Sequence, residues 1–268
     1  TESLNLIAYS FVEPRLYQAK QNQQASNIVI SAAEHHANLL PWQRLAERYQ
    51  AELRVVNLTP DGVIDIDHLS QLLDHDTQVL AVTHCSNVLG QFEPVEKICQ
   101  LAKSKNIPTV IDGAQGIVRG KVNVQVIDCD FYVFSAHKLY GPTGCGVLYA
   151  KNEHLEQMRP YQLGGGMITQ VDFLHREYLS GPLKFEPGSH NVASIVGLVE
   201  ALDYLQDISW QEVNQHMDNL ALYLNKSLNE LPYYQPLLAQ SSGQGELAKA
   251  RSIVSFQVKG VHCHDVAS

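Results

Sequence analysis

The sequence lacks the basic stripes and long apolar runs that mark nucleic-acid-binding and membrane proteins. Its 268 residues include only 19 Lys and Arg against 28 Asp and Glu, a formal net charge of −9, and basic residues form no stripe. We therefore expect no nucleic acid partner, because binding to phosphates needs a basic surface. No apolar run approaches the roughly 20 residues that cross a bilayer, so we expect no membrane partner and a cytoplasmic protein.

Cysteine is also sparse, and its spacing argues against two kinds of structure. The five cysteines are Cys85, Cys99, Cys129, Cys145 and Cys263. Their number is odd and no two form a C-x-x-C pair, so we expect neither a disulfide framework nor a zinc site. The segment from His262 to Asp265 resembles a metal-binding run, but in an extended segment its side chains would alternate between faces, and we predict no metal ion.

The chain does contain a regular alternation of apolar runs and helical patterns. The runs predicted to be strands are Asn27–Ile30, Leu53–Leu58, Val79–Thr83, Pro108–Asp112, Phe131–Phe134 and Gly146–Tyr149. The helical patterns between them cover Asn38–Gln50, Ile66–Asp74 and Pro94–Lys105. Strands separated by helices predict βαβ units, and therefore an α/β fold with a mostly parallel sheet flanked by helices.

The pattern changes toward the C-terminus, which suggests two domains. Predicted helices over Ile195–Leu205 and Trp210–Leu228 are followed by a predicted strand over Ser252–Val258. We predict a large domain over residues 1–205 and the start of a small C-terminal α/β domain over residues 206–268. Since the chain begins without Met and stops just after a strand-like segment, we expect both domains to be incomplete. The Gln-rich segments Gln18–Gln24 and Gln240–Gln244 are predicted to be surface loops.

The strongest chemical signal lies between Asp130 and Gly146. A predicted strand leads there to Ser135, His137 and Lys138, directly before a Gly/Pro-rich turn. Ligands of open parallel sheets bind at the carboxyl ends of the strands. A hydroxyl and an imidazole at that edge can hold a phosphate, and a partly desolvated lysine, whose pKa is lowered, is a usable nucleophile. An isolated lysine would be interpreted as a surface residue, but the whole segment favours a chemical role.

This segment resembles the lysine motif of fold-type I pyridoxal 5′-phosphate (PLP) enzymes. The resemblance is greatest to the SufS/CsdA-type cysteine desulfurases and selenocysteine lyases of the class V aminotransferase-like superfamily. Further matching stretches follow in the right order over essentially the whole chain, beginning at Thr1, Glu34, Thr83, Val110, Gly164 and Phe185. The resemblance implies a fold-type I α/β fold, PLP as the cofactor, Lys138 as the catalytic residue that carries it as a Schiff base, and a homodimer.

The resemblance also implies roles for residues at other strand ends. Asp112 would keep the pyridine nitrogen of PLP protonated, while Asn87 and Gln115 would donate hydrogen bonds to its phenolic oxygen. Taken alone, Asp112 could be a helix N-cap and Asn87 a turn residue. His35 would stack on the ring and assist proton transfer, whereas His36 would be structural; both could also be ordinary residues at a helix start.

A phosphate site is implied by four residues with hydroxyl or imidazole groups. Thr1 corresponds to the last residue of a phosphate loop, next to the amides of a helix start. Ser135 and His137 would complete the site, joined by Ser189 from a second subunit. Most relatives have Thr at the position of Ser189, which keeps the hydroxyl group.

The implied activity is that of a PLP-dependent cysteine desulfurase. Such an enzyme converts L-cysteine, selenocysteine or cysteine sulfinate to L-alanine plus sulfur, selenium or sulfite, respectively. The sulfur passes to a SufE/CsdE-like acceptor protein for iron–sulfur cluster assembly. The Cys that attacks the substrate sulfur and the Arg that binds its carboxylate are expected beyond Ser268, and we interpret Cys85 and Cys145 as packing residues. Two alternatives stay open: another class V PLP enzyme of kynureninase-like or epimerase-like type, and a truncated, non-catalytic partner that binds PLP or forms dimers.

Overall fold

The computed structural model describes residues 1–238 and 253–267. The helices are α1 (Glu2–Ile7), α2 (Glu13–Gln21), α3 (Leu40–Tyr49), α4 (Ile66–Leu72), α5 (Val95–Ser104), α6 (Val124–Ile127), α7 (Asn152–Gln157), α8 (Val192–Gln206), α9 (Trp210–Asn229) and α10 (Cys263–Ala267). The strands are β1 (Asn27–Ser31), β2 (Glu52–Val56), β3 (Thr77–Thr83), β4 (Thr109–Asp112), β5 (Phe131–Ser135), β6 (Gly146–Ala150), β7 (Ile168–Val171), β8 (Arg176–Tyr178), β9 (Tyr234–Pro236) and β10 (Phe256–Val258).

Strands β1 to β6 form one sheet in the order β2-β1-β3-β4-β5-β6. The first five in this order are parallel to one another, and β6 is antiparallel to β5. Every residue of β1 and of β4 is buried, as expected for parallel strands covered on both faces. The predicted α/β fold with a mostly parallel sheet is confirmed.

Alternate residues of the strands contact helices on opposite faces of the sheet. Ile28 and Ile30 of β1 belong to the core cluster that also contains residues of α1, α2 and α3. Val29, between them, belongs to the cluster that contains residues of α4 and α5. Each such fully buried side chain contributes about 1.5–3 kcal/mol, so the two helical layers hold the sheet.

The end of β1 leads into a short capped turn rather than directly into a helix. A 3-10 turn covers His36–Asn38, and His35 caps it by accepting a hydrogen bond from Ala37 N at its Nδ1. The helix predicted from Asn38 therefore begins at Leu40, with Pro41 in its first turn, where a missing N–H costs nothing. This turn places His35 at the carboxyl edge of the sheet.

The prediction of a surface loop over Gln18–Gln24 is wrong for its first part, because Gln18–Gln21 belongs to α2. A π-helical turn, Ala8–Val12, joins α1 to α2. Such a turn has more residues per turn than an α-helix, so the buried positions no longer follow the 3.6-residue period. For this reason the apolar pattern did not predict the N-terminal helical segment.

The C-terminal part is only partly described. Strands β9 and β10 pair antiparallel, so the described part of the predicted strand Ser252–Val258 contains a strand, while Ser252 and the predicted loop Gln240–Gln244 lie outside the described residues. The segment after His262 is not extended, because Cys263–Ala267 is helical. The division into domains at residue 205 stays a prediction.

Asp130 anchors the start of β5, the strand that leads to Lys138. Its carboxylate is hydrogen-bonded to His154 Nε2 at 2.9 Å and to Thr109 N at 2.8 Å, and it lies 3.2 Å from Lys151 Nζ. Burial by itself would raise the pKa of Asp130, but these partners outweigh it and lower the pKa to about 2. The charged form therefore stabilises the fold above the unfolded-state pKa near 4, and this contribution is lost as the pH falls toward 2.

We expect Asp130→Asn to lower the free energy of unfolding by about 2 kcal/mol at pH 7 and by about half as much at pH 3. Urea unfolding of both proteins at the two pH values measures the difference. Asp207→Asn, at an exposed position directly after α8, is the control and should change stability little at either pH. Equal losses at pH 7 and pH 3 for Asp130→Asn would contradict the assigned pKa.

Candidate functional site

The carboxyl ends of β1, β3, β4 and β5 lie side by side, because these strands are parallel neighbours. His35 follows β1, Asn87 follows β3, Asp112 ends β4, and Lys138 lies in the turn after β5. The structure therefore brings four separately predicted segments to one edge of the sheet. Such an edge is where open α/β sheets bind ligands. The roles of the individual residues stay predictions.

Asp112 ends β4 almost completely buried, with 6% of its surface exposed. Its Oδ1 accepts a hydrogen bond from Ala114 N at 3.0 Å. It is not a helix N-cap, since the 3-10 turn that follows, Gly116–Arg119, has Gln115 at the N-cap position. Within the described part of the chain, Ala114 is the only hydrogen-bond donor to this carboxylate, so its second oxygen can accept from a bound group.

The loop after Asp112 packs closely on two aromatic side chains, His84 and Tyr132. The His84 Nδ1 and the Tyr132 hydroxyl are hydrogen-bonded at 2.8 Å. A Cβ at Gly113 would lie 2.1 Å from the Tyr132 ring, and one at Gly116 would lie 2.4 Å from His84. Burial lowers the pKa of His84 to about 4, so the imidazole is neutral at pH 7. This neutral pair supports the Asp112 loop without adding a charge.

Lys138 lies in a 3-10 turn, Ala136–Leu139, that is closed by backbone hydrogen bonds on both sides. Ala136 N donates to Cys145 O at 3.1 Å, and Gly141 N donates to Ala136 O at 3.0 Å. Between them Tyr140 has a left-handed backbone, with φ at 60°, a conformation that is uncommon for a residue other than glycine. These backbone hydrogen bonds hold the turn on which half-buried Lys138 lies.

The residues predicted to bind phosphate lie in three places. Ser135 ends β5 and His137 is in the turn of Lys138, so both are at the site edge. Thr1 is the N-cap residue of α1, which packs against β6. Ser189 lies exposed in the loop before α8, where the neighbouring Gly188 N donates to Gly165 O. Its role in a second subunit, like the other phosphate contacts, stays a prediction.

Glu34 is a site residue to which the sequence patterns gave no role. Its carboxyl group accepts hydrogen bonds from the Ser31 hydroxyl, from Asn38 Nδ2 at 2.6 Å and from Thr83 N at 2.9 Å. Burial raises the pKa of Glu34 to about 8 against the effect of these bonds, and the nearby Asp112 carboxylate raises it further. The sequence signal that could have identified Glu34 is its position directly before His35, just after the end of a strand.

The cysteines near the site are poorly suited to nucleophilic attack. Burial raises the pKa of Cys85, Cys99 and Cys129 to about 12, and it is the thiolate that attacks. Cys85 is only 2% exposed, in agreement with its interpretation as a packing residue. Cys145 is half-buried and Cys263 is exposed.

One cluster of possible metal ligands occurs among residues 1–238 and 253–267: Asp130, Glu153 and His154, whose ligand atoms lie within 4.8 Å of one another. The carboxylate of Asp130 is already hydrogen-bonded to His154 and paired with Lys151. We assign the cluster to the ion-pair network at the start of β5. Within the same residues, no helix combines the length and apolar character needed to cross a membrane.

The fold and the position of the site define an α/β protein with a lysine and an aspartate at the carboxyl edge of a mostly parallel sheet. The Aminotransferase class-V family profile matches residues 1–268. The chain belongs to this family.

Among individual proteins, the chain is similar to cysteine desulfurases. The chain is 38% identical to a probable cysteine desulfurase of Xylella fastidiosa (strain Temecula1) over 268 residues, which are all of this chain and 61% of that protein. The structure of the cysteine desulfurase CsdA (S-sulfonic acid) of Escherichia coli has a TM-score of 0.89 at 36% identity, covering 98% of this chain and 62% of that one. An apo cysteine desulfurase of Thermococcus onnurineus NA1 has a TM-score of 0.86 at 31% identity, covering 99% and 63%. The chain thus spans somewhat less than two thirds of these relatives.

Proposed function

We propose that the full-length protein is a PLP-dependent cysteine desulfurase, which converts L-cysteine to L-alanine, with selenocysteine and cysteine sulfinate as further substrates. The observation that carries the proposal is the meeting of Lys138, Asp112, Asn87 and His35 at one sheet edge. The relatives named cysteine desulfurases support the choice of activity, since they match over 98–100% of the chain.

The side chains at this edge suit PLP chemically. Lys138 offers an amine that is only half-buried, and Asp112 offers a carboxylate oxygen for a protonated pyridine nitrogen. Ser135 and His137 offer a hydroxyl and an imidazole for a phosphate, and His35 offers an exposed flat ring. An amine, an acid, a phosphate-binding pair and a stacking ring are the groups that this cofactor needs.

Each residue has a distinct task in the proposed reaction. When bound, PLP supplies an electron sink for the charge that develops at the substrate Cα. The Lys138 amine takes up and returns the proton at that carbon, while Asp112 holds a proton at the pyridine nitrogen. His35 covers one face of the ring and excludes water from it. Asn87 and Gln115 donate hydrogen bonds to the phenolic oxygen, which keeps the ring in a fixed orientation.

The sulfur would pass to a cysteine thiolate and from there to a SufE/CsdE-like acceptor protein, for iron–sulfur cluster assembly in the cytoplasm. The buried thiols of Cys85, Cys99 and Cys129 are excluded from this step by their raised pKa. Cys145 is half-buried and Cys263 is exposed, so burial does not exclude these two thiols. We propose instead a thiol in the part of the full-length protein outside this chain, because the sequence resemblance implies that the attacking Cys lies beyond Ser268.

A homodimer is proposed because α8 is apolar on both of its faces. Leu198 and Leu205 are buried, yet Val196 and Val199 on the same helix are 53% and 49% exposed. A stripe of exposed apolar side chains on a packed helix typically marks a contact surface with another protein. A second copy covering α8 would also bring its own Ser189 loop, which directly precedes this helix, close to the interface.

We expect the purified full-length protein with PLP to release L-alanine from L-cysteine, and this release distinguishes the proposal from a kynureninase-like or epimerase-like activity. Amino-acid analysis after incubation with L-cysteine, selenocysteine, cysteine sulfinate and kynurenine measures it. Alanine from kynurenine alone, or racemised cysteine without alanine, would contradict the proposal. A visible PLP band without any turnover would indicate a non-catalytic PLP-binding protein.

A further inference from the structure

The Glu34 carboxyl group joins three elements at the site edge. Ser31 is the last residue of β1, Asn38 ends the turn that His35 caps, and Thr83 ends β3. All three donate hydrogen bonds to Glu34. Thr83 is in turn the register partner of Asp112 on β4. One carboxyl group thus connects the segment that carries His35 to the strand beside Asp112.

We propose that Glu34 is a positioning residue, which ties the His35 turn to the ends of β1 and β3 and thereby sets the position of the His35 ring relative to Asp112. The inference rests on the proposed function for its purpose, because both side chains are proposed to contact the same bound ligand. Its geometric part, the placement of His35 by Glu34, does not depend on a ligand.

The hydrogen bonds require an acid at this position rather than an amide. Ser31 and Thr83 donate to one oxygen of Glu34, and Asn38 donates to the other. Asn38 cannot present its own oxygen instead, because its Oδ1 accepts from the indole of Trp42 at 3.0 Å and both side chains are fully buried. A glutamine at position 34 would therefore point its NH₂ group at a buried donor in either orientation, which costs more than a lost hydrogen bond.

Glu93, in the loop between β3 and α5, offers a matched control. It is 3% exposed, its Oε2 accepts from Ile64 N at 2.7 Å, and burial raises its pKa to about 7. Glu93→Gln keeps an oxygen for that single donor and removes a buried acid that has no link to the His35 turn. The comparison therefore separates positioning of His35 from the general cost of replacing a buried glutamate.

The experiment compares Glu34→Gln, His35→Ala, the double variant and Glu93→Gln in the full-length protein. In the apo protein labelled with ¹³C-histidine, the His35 ring resonance, assigned by its absence in His35→Ala, should shift in Glu34→Gln and stay in place in Glu93→Gln. In the PLP-loaded protein, Glu34→Gln should release PLP about three- to tenfold faster than wild type, as expected for one unmatched hydrogen bond. The double variant should release it no faster than His35→Ala, because Glu34 acts through His35.

An unmoved His35 resonance in Glu34→Gln, or release rates that multiply in the double variant, would overturn the proposal. If Glu34→Gln does not fold, Glu34→Asp gives the same comparison, since it keeps the acceptor oxygens but shortens their reach. A wild-type protein that takes up no PLP would refute the proposed function, and the histidine spectra of the apo protein would still decide the role of Glu34.

Discussion

Replacement of Lys138 by alanine is expected to abolish the covalent attachment of PLP and to lower turnover by a factor on the order of 10³. Lys138 is the amine in the turn after β5, and a positioned proton-transfer group contributes about 10²- to 10⁴-fold to rate. Loss of the amine removes both the covalent bond and this proton transfer. Borohydride reduction followed by peptide mass spectrometry measures the attachment, and alanine release measures the turnover.

Two further variants test whether PLP attachment is lost because the Lys138 amine is missing, rather than because a positive charge is lost or because the protein is damaged in general. Lys138→Arg keeps the positive charge but cannot form the covalent bond, so it should resemble Lys138→Ala. Lys103→Ala removes a lysine that is 67% exposed and paired with Asp128 on the surface, and it should keep both attachment and turnover, since surface pairs contribute little to stability. A reduced cofactor still attached to the Lys138→Ala protein would show that another residue carries it.

The sheet and the edge where it binds ligands could be predicted from the sequence. The apolar runs that end at Thr83 and at Asp112 are short, continuous and bounded by polar residues, which is typical of buried parallel strands. Because such strands share one carboxyl edge, the residues after them were the candidates for a site, and in the structure the ends of these strands lie side by side. The antiparallel direction of β6 could not be predicted, because its amino-acid composition does not distinguish it from a parallel strand.

The contacts that hold the site residues in place could not be predicted, because they join segments that are far apart in the sequence. The bond between His84 and Tyr132 joins residues 48 positions apart, and neither local pattern indicates a partner. The role of Glu34 depends likewise on Thr83, 49 positions away. Near Ala8–Val12 the cause was different, since the π-helical turn disturbs the period on which helix prediction relies.

Gly113→Ala is expected to lower the free energy of unfolding by about 3 kcal/mol, the upper part of the usual range for overpacking. A Cβ at this position would lie 2.1 Å from the ring of Tyr132, which is only 2% exposed. The ring cannot move away without breaking its hydrogen bond to His84. The backbone after Asp112 must therefore shift instead, and we expect PLP affinity to fall together with stability because the Asp112 carboxylate shifts with it. Urea unfolding and PLP titration of the same samples measure both.

Gly165→Ala is the matched control, because nothing lies within 4 Å of a Cβ built at that position. It should keep the wild-type unfolding free energy to within about 0.5 kcal/mol, the usual range for such surface changes, and should keep PLP affinity. If Gly113→Ala matched this control in both measurements, the loop after Asp112 would have room to move, and the Asp112 carboxylate would not be held by the packing of Gly113 on Tyr132. A loss of stability with unchanged PLP affinity would instead show that the Tyr132 ring yields while Asp112 stays in place.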